Sequence, residues 1–129
     1  MVQQYLGIQH EYGTFDCLTL IQQFYKNELV LDFSIPAYPH DIKWIKRFSA
    51  EHIDELFLNY SVKVNLTEIK NYDVIAFKSR RTNLIIHFGI YLTPNRLLHV
   101  EHGGASRIDS LSTYWIDYIH AIYRHEQLV

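Results

Sequence analysis

A single cysteine, Cys17, and eight histidines stand in a chain of 129 residues. A lone Cys cannot form an intramolecular disulfide, so it is either a small buried hydrophobe or a nucleophile. Nucleophilic acyl chemistry needs a thiolate, a base that makes it, and a third group that orients the base. Cys17 follows Thr14-Phe15-Asp16 and opens LTLIQQFYKNE, which reads as a helix. Leu18, Ile21 and Tyr25 form one apolar stripe, with Leu20 and Phe24 beside it. Asp16 or Thr14 caps this helix and puts Cys17 in its first turn, where unpaired backbone N–H groups favour an anionic sulfur.

Two histidines complete the set. His87 lies within LIIHFGIYL, where Ile86, Phe88, Ile90 and Leu92 share one face and His87, Gly89 and Tyr91 the other. Thr93-Pro94-Asn95 makes a turn, and Arg96 to Glu101 is the returning strand, with Leu97, His99 and Glu101 on one face. Depending on register, the imidazoles of His87 and His99 are cross-strand neighbours. One hairpin then supplies both base and orienter, with Gly89 leaving open space beside them.

The remaining elements must position that hairpin against the helix. The stretch from Leu31 to Pro39 reads as a loop, followed by two short helices over 41–48 and 49–60, the second opened by Ser49 as cap. Val74 to Phe77 is a short strand, and residues 112–124 read as a helical turn followed by a last strand. Helices first and an antiparallel meander after them make an α+β fold. The length fits one domain over residues 1–129, with no repeat or linker.

Composition narrows the function classes. Hydrophobic residues make up 48% and charged residues 20%, the balance of an ordinary folded domain. A formal net charge of −2 offers no basic field for nucleic acid. No apolar run reaches the roughly 20 residues of a membrane span, and the N-terminus has no signal-peptide pattern, so no membrane insertion is expected and synthesis in a cytoplasm is. The aromatic share of 15% is high and suits a strand-rich fold or an extended ligand. The spacings His99-x-x-His102 and His120-x4-His125 run into a Gly-Gly loop and along a strand, so neither a metal nor a cofactor is expected. Lys78 to Arg81 reads as a charged hairpin tip.

Several blocks together resemble the NlpC/P60 family of cysteine peptidases. Tyr5-Leu6-Gly7, followed by Gly13-Thr14-Phe15-Asp16-Cys17-Leu18-Thr19-Leu20, is similar to its nucleophile motif. Asn71-Tyr72-Asp73-Val74-Ile75-Ala76-Phe77 stands where the family has a Gly-Asp strand, here without the glycine. His87-Phe88-Gly89-Ile90-Tyr91-Leu92 resembles its H-x-G-I-Y strand, and Leu97-Leu98-His99-Val100 its third-residue strand. Asp-Cys followed by Leu-Thr-Leu, with the closing Tyr114, Trp115, Tyr123 and Arg124, looks like the phage tail assembly branch. Residues 31–62 match nothing general in the family and read as a variable helical insert.

The resemblance implies a papain-like fold, with N-terminal helices packed on an antiparallel sheet. It also implies hydrolysis of peptide bonds in bacterial peptidoglycan stems. It makes Cys17 the nucleophile, His87 the base and His99 the orienter, with Tyr5 and the Cys17 N–H near the oxyanion. Its implied partners are stem peptides and other phage tail proteins. The setting implied is the host cytoplasm on synthesis, then a virion tail acting at the cell wall. Two rival readings keep the fold: a tail assembly protein with an unused site, and an amidase or acyltransferase acting on another substrate.

Overall fold

The computed structural model describes residues 2–35 and 49–129, and it gives the N-terminal stripe a helix, α1, over Cys17–Phe24. The helix continues as a wider π-helical stretch, Tyr25–Leu29, which ends at Val30 in left-handed conformation. Asp16, not Thr14, is the cap. Its Oδ1 accepts from the Leu18 and Thr19 N–H groups at 3.0 and 2.9 Å, and the Thr19 hydroxyl accepts from the Asp16 N–H at 2.7 Å. This reciprocal box satisfies donors that a helix start would otherwise leave orphaned. A second helix, α2 (Ala50–Leu58), is capped by Ser49 as its sequence predicts. The helix expected over 41–48 lies outside the described residues.

Six strands follow: β1 (Ser61–Val64), β2 (Val74–Lys78), β3 (Ile85–Leu92), β4 (Arg96–His99), β5 (Arg107–Ser110) and β6 (Ile119–His125). They form one antiparallel sheet in the order β1-β6-β2-β3-β4-β5. A short helix, α3 (Thr113–Ile116), precedes β6. The architecture is the α+β one predicted. Two strands go beyond the sequence reading, and they are the two edges of the sheet. β1 begins at Ser61, inside the stretch read as a helical insert, and β5 follows the Gly103-Gly104 break. Each has only four residues and is partly solvated, so its alternation is too short to register.

Both faces of the central strands are covered. Leu18, Ile21 and Phe24 of α1 and Ile53 and Phe57 of α2 pack over Ala76, Phe88, Ile90 and Tyr123. Phe57 stacks between Tyr123 and Phe88, with ring centroids 4.5 and 5.3 Å away. Truncating a ring so enclosed costs about 3–5 kcal/mol. The opposite face carries Ile75, Phe77, Tyr91, Leu97 and Ile122, covered by Trp115 of α3 and by Leu111. The face that holds His87 is therefore largely covered, because the C-terminal aromatic segment folds back over it.

Tyr72 explains the missing glycine. It sits at φ 77°, a left-handed conformation that glycine adopts without cost and a tyrosine does not. Its N–H donates to the Tyr91 carbonyl at 2.7 Å, its carbonyl accepts from the Tyr25 hydroxyl, and its ring lies 5.7 Å from that of Phe24. Packing replaces conformational freedom at this turn. Among the described residues no helix is long and apolar enough to cross a membrane.

Candidate active site

The register of the β3–β4 hairpin decides how its histidines meet. Ile90 pairs with Leu98, and one further step sets Gly89 opposite His99, with His87 as the diagonal neighbour on the same face. His87 Nε2 lies 2.8 Å from His99 Nδ1. Gly89, opposite His99, leaves no open space beside the pair. A Cβ there would come within 2.9 Å of Leu97 Cγ, so the Leu97 side chain already fills the gap.

The chain of contacts continues to a residue outside the predicted set. His99 Nε2 lies 2.7 Å from Asp109 Oδ2, on edge strand β5. Arg107 Nε donates to the same oxygen at 2.8 Å, and the Arg107 guanidinium also pairs with Glu101. Glu101, expected on the same face of the hairpin as His99, is thus an anchor for Arg107. Burial pushes the Asp109 carboxyl up, but the His99 hydrogen bond and the Arg107 charge outweigh it and hold it below the usual range.

An ionised Asp109 can only accept, so His99 donates to it from Nε2. A neutral His99 then accepts at Nδ1, and His87 must donate from Nε2. The basic nitrogen of His87 is therefore Nδ1. Burial, then the neighbouring His99, Arg107 and His10, hold His87 well below the ordinary imidazole range. Burial also lowers His99, while its bond to Asp109 opposes that shift. The Phe77 and Trp115 rings, 5.7 and 5.6 Å from the His87 ring, supply the apolar walls.

Cys17 and His87 line one cleft of about 50 Å³, together with His10, Tyr12 and His102. Both are nearly enclosed, at 4% and 8% exposure. The N-terminal segment forms the far wall because it is stitched to the loop after β4. Gly7 N–H donates to the Ser106 carbonyl at 2.8 Å, Ser106 N–H to the Ile8 carbonyl at 2.8 Å, and His10 N–H to the Gly104 carbonyl at 2.9 Å. Tyr12 stacks on His102 at 5.2 Å.

The structure thus sets His87 against His99 and places Cys17 on the cleft that His87 lines. Tyr5 is placed differently. It lies in the core at 4% exposure, its ring 5.2 Å from that of Phe24, and its buried hydroxyl has no hydrogen-bond partner among the described residues. Tyr12 is the tyrosine that lines the cleft. Asp109 escapes a reading of the sequence because its strand does. Its one signal is the polar–apolar alternation of Arg107-Ile108-Asp109.

The histidine pairs with metal-like spacing part company. His102 faces the cleft while His99 joins the relay; His120 contacts Asp54 at 3.1 Å, and His125 the Asp32 carbonyl at 2.8 Å.

The profile of the NlpC/P60 family matches residues 4–124. No curated protein matches the chain. Among solved structures, an NLP/P60-family protein from Staphylococcus aureus, described as similar to a lipoprotein, superimposes with a TM-score of 0.62 at 23% identity. An NlpC/P60 family protein from Bacillus cereus gives 0.68 at 18% identity. The alignments cover 96% and 95% of this chain but only 38% and 37% of those longer proteins. The NlpC/P60 domain of the peptidoglycan hydrolase SagA gives 0.61 at 16% identity, covering 95% of this chain and 92% of that domain. At these identities the likeness is one of fold.

Proposed function

The chain belongs to the NlpC/P60 family, and from that premise we propose that it is a cysteine endopeptidase of peptidoglycan stems, associated with a phage tail. One observation carries the reading. Cys17, at the capped start of α1, lines the same cleft as His87, whose far nitrogen is held by His99 and Asp109.

In this mechanism His87 Nδ1 takes the thiol proton and the sulfur attacks the scissile carbonyl carbon. The Cys17 N–H supports the oxyanion. As the tetrahedral intermediate collapses, the C–N bond breaks and His87 gives its proton to the departing amine, leaving a thioester on Cys17. Water, deprotonated by His87, attacks that thioester; the carboxylic acid departs and the sulfur recovers its proton. His99 and Asp109 hold the imidazole in the required tautomer and favour its charged form during transfer.

The test is incubation of the protein and its Cys17→Ala variant with peptidoglycan, followed by mass spectrometry of the soluble fragments. Fragments released only by the unsubstituted protein are expected, and their masses identify the bond. Release that survives the substitution overturns the assignment.

A second reading has its own observation: a thiol only 4% exposed, beside a cleft of about 50 Å³, suits a tail assembly protein that keeps the fold without using the site. It predicts slow alkylation of Cys17 by iodoacetamide at neutral pH, whereas the peptidase reading predicts fast alkylation.

A further inference from the structure

A groove of about 400 Å³ opens beside the cleft and shares Ile86, His87 and His102 with it. Its floor is Phe77 and Trp115. Its outer wall is the β2–β3 loop, which presents Lys78, Arg80 and Arg81. The loop is held in place: the Lys78 N–H donates to the Tyr118 carbonyl at 2.8 Å and the Ser79 N–H to the Leu84 carbonyl at 2.9 Å. Arg80 is held too, its guanidinium carbon 4.5 and 4.8 Å from the ring centroids of Tyr114 and Tyr118.

Among the described residues, the charge of this wall has no ion-pair partner: no carboxylate lies within ion-pair distance of Lys78, Arg80 or Arg81. The acidic residue in the described lining, Glu101, is paired with Arg107, which it shares with Asp109. Lys78, Arg80 and Arg81 also line a recess of about 290 Å³ with Thr82, Asn83 and Tyr118, and its described lining adds no acid. Three cations thus line this groove in a chain whose formal net charge is −2. A planar guanidinium pinned on aromatic faces keeps its N–H edge for a ligand, the arrangement that suits a carboxylate.

We propose that this groove is a subsite for a carboxylate, carried by the segment of the substrate on the leaving-amine side of the scissile bond, with Arg80 and Arg81 as its specificity determinants. The side follows from the mechanism. His87 must protonate the departing amine, so that amine stands at His87, and the groove begins there and runs away from Cys17. The inference rests on the peptidase reading for the identity of the substrate, but not for the groove's preference between a carboxylate and an amide.

The test uses the Cys17→Ala protein and a soluble stem tetrapeptide in two forms, with its C-terminal carboxylate free or amidated. Binding is read by the fluorescence of Trp115, which lines the groove, at low and high salt. The free acid is expected to bind about tenfold more tightly, the value of one charge-assisted hydrogen bond. That preference should shrink at high salt and disappear in the Arg80→Gln/Arg81→Gln variant. Amide binding retained by that variant shows that it is folded. Equal affinity for the two forms overturns the proposal, as does a preference that survives the double substitution. If the acid is preferred but the active protein releases no fragments from peptidoglycan, the wall-peptidase reading fails and the carboxylate subsite stands. Release of fragments without any preference removes the subsite alone.

Discussion

The pair Asp73–Arg124 and the chain His87–His99–Asp109 are both polar groups taken into the sheet, and they are finished differently. Asp73, 1% exposed, accepts from Arg124 Nε at 2.9 Å and Nη2 at 2.8 Å, and from the Lys70 N–H at 2.8 Å. Arg124 also donates to the Glu68 carbonyl at 2.7 Å. The network closes on itself and ties β6 to the turn before β2. The histidine chain closes only at one end, where Arg107 grips Asp109. Its other end is His87, on the wall of a cleft that also holds a thiol. A buried pair that satisfies its own partners stabilises one arrangement of the chain. A buried chain that ends at a cavity can pass a proton to something placed there.

The sharpest way to break this comparison is to cut each network at its centre. His87→Gln should lower kcat/KM by about 10³- to 10⁴-fold, the upper range for general acid–base catalysis, while stability changes by only about 1 kcal/mol. Arg124→Met should do the reverse. It strands a buried carboxylate and should cost about 3 kcal/mol or more of unfolding free energy, with kcat of the folded protein nearly unchanged. Denaturant titrations alongside fragment-release rates separate the two. A large stability loss in the first variant, or a large kcat loss in the second, would erase the distinction.

Asp109→Asn probes the closed end of the relay. Replacing a charged acceptor with a neutral one should lower kcat/KM about tenfold, with Cys17 still in place. The variant should also change the response to pH. Burial depresses His87 and His99 in the folded protein, while an unfolded imidazole titrates near 6.5. The unfolded chain therefore binds more protons as pH falls. The stability these groups contribute is full above about pH 6.5 and is lost as pH drops towards their folded values. Asp109 holds His99 up, so its removal should steepen that loss. Thermal unfolding midpoints from pH 7.5 to 5 read the effect directly, and parallel curves for the two proteins would count against it.

The smallest effects are expected at the two tyrosines. Tyr5→Phe removes a buried hydroxyl that has no partner among the described residues and should leave activity unchanged, with stability equal or higher by about 1 kcal/mol. Tyr12→Phe, at the cleft wall, should lower kcat by a few-fold. The opposite ranking in fragment-release assays would move the oxyanion side of the site back to Tyr5.

Local chemistry made part of this protein legible without coordinates. Asp16 before Cys17 and Thr19 after it write a helix start with the sulfur in its first turn. The alternation through His87, and the turn at Thr93-Pro94-Asn95, write a hairpin with histidines on both arms. These are short-range patterns, fixed by helical and strand periodicity and by side chains that cap their own backbone. Other features depended on partners far along the chain. Asp109 entered the relay because β5 adds to the sheet edge beside β4, and a four-residue edge strand carries too little pattern to announce itself. The tyrosine at the cleft was decided by the docking of residues 7–10 on residues 104–106, nearly the whole chain away. His87 is largely withdrawn from solvent because Trp115 folds over the second face of the sheet. Periodicity shows which side of a strand a residue takes, but only the packed chain decides what covers that side, and the covering sets both the acidity of the imidazole and the shape of the site.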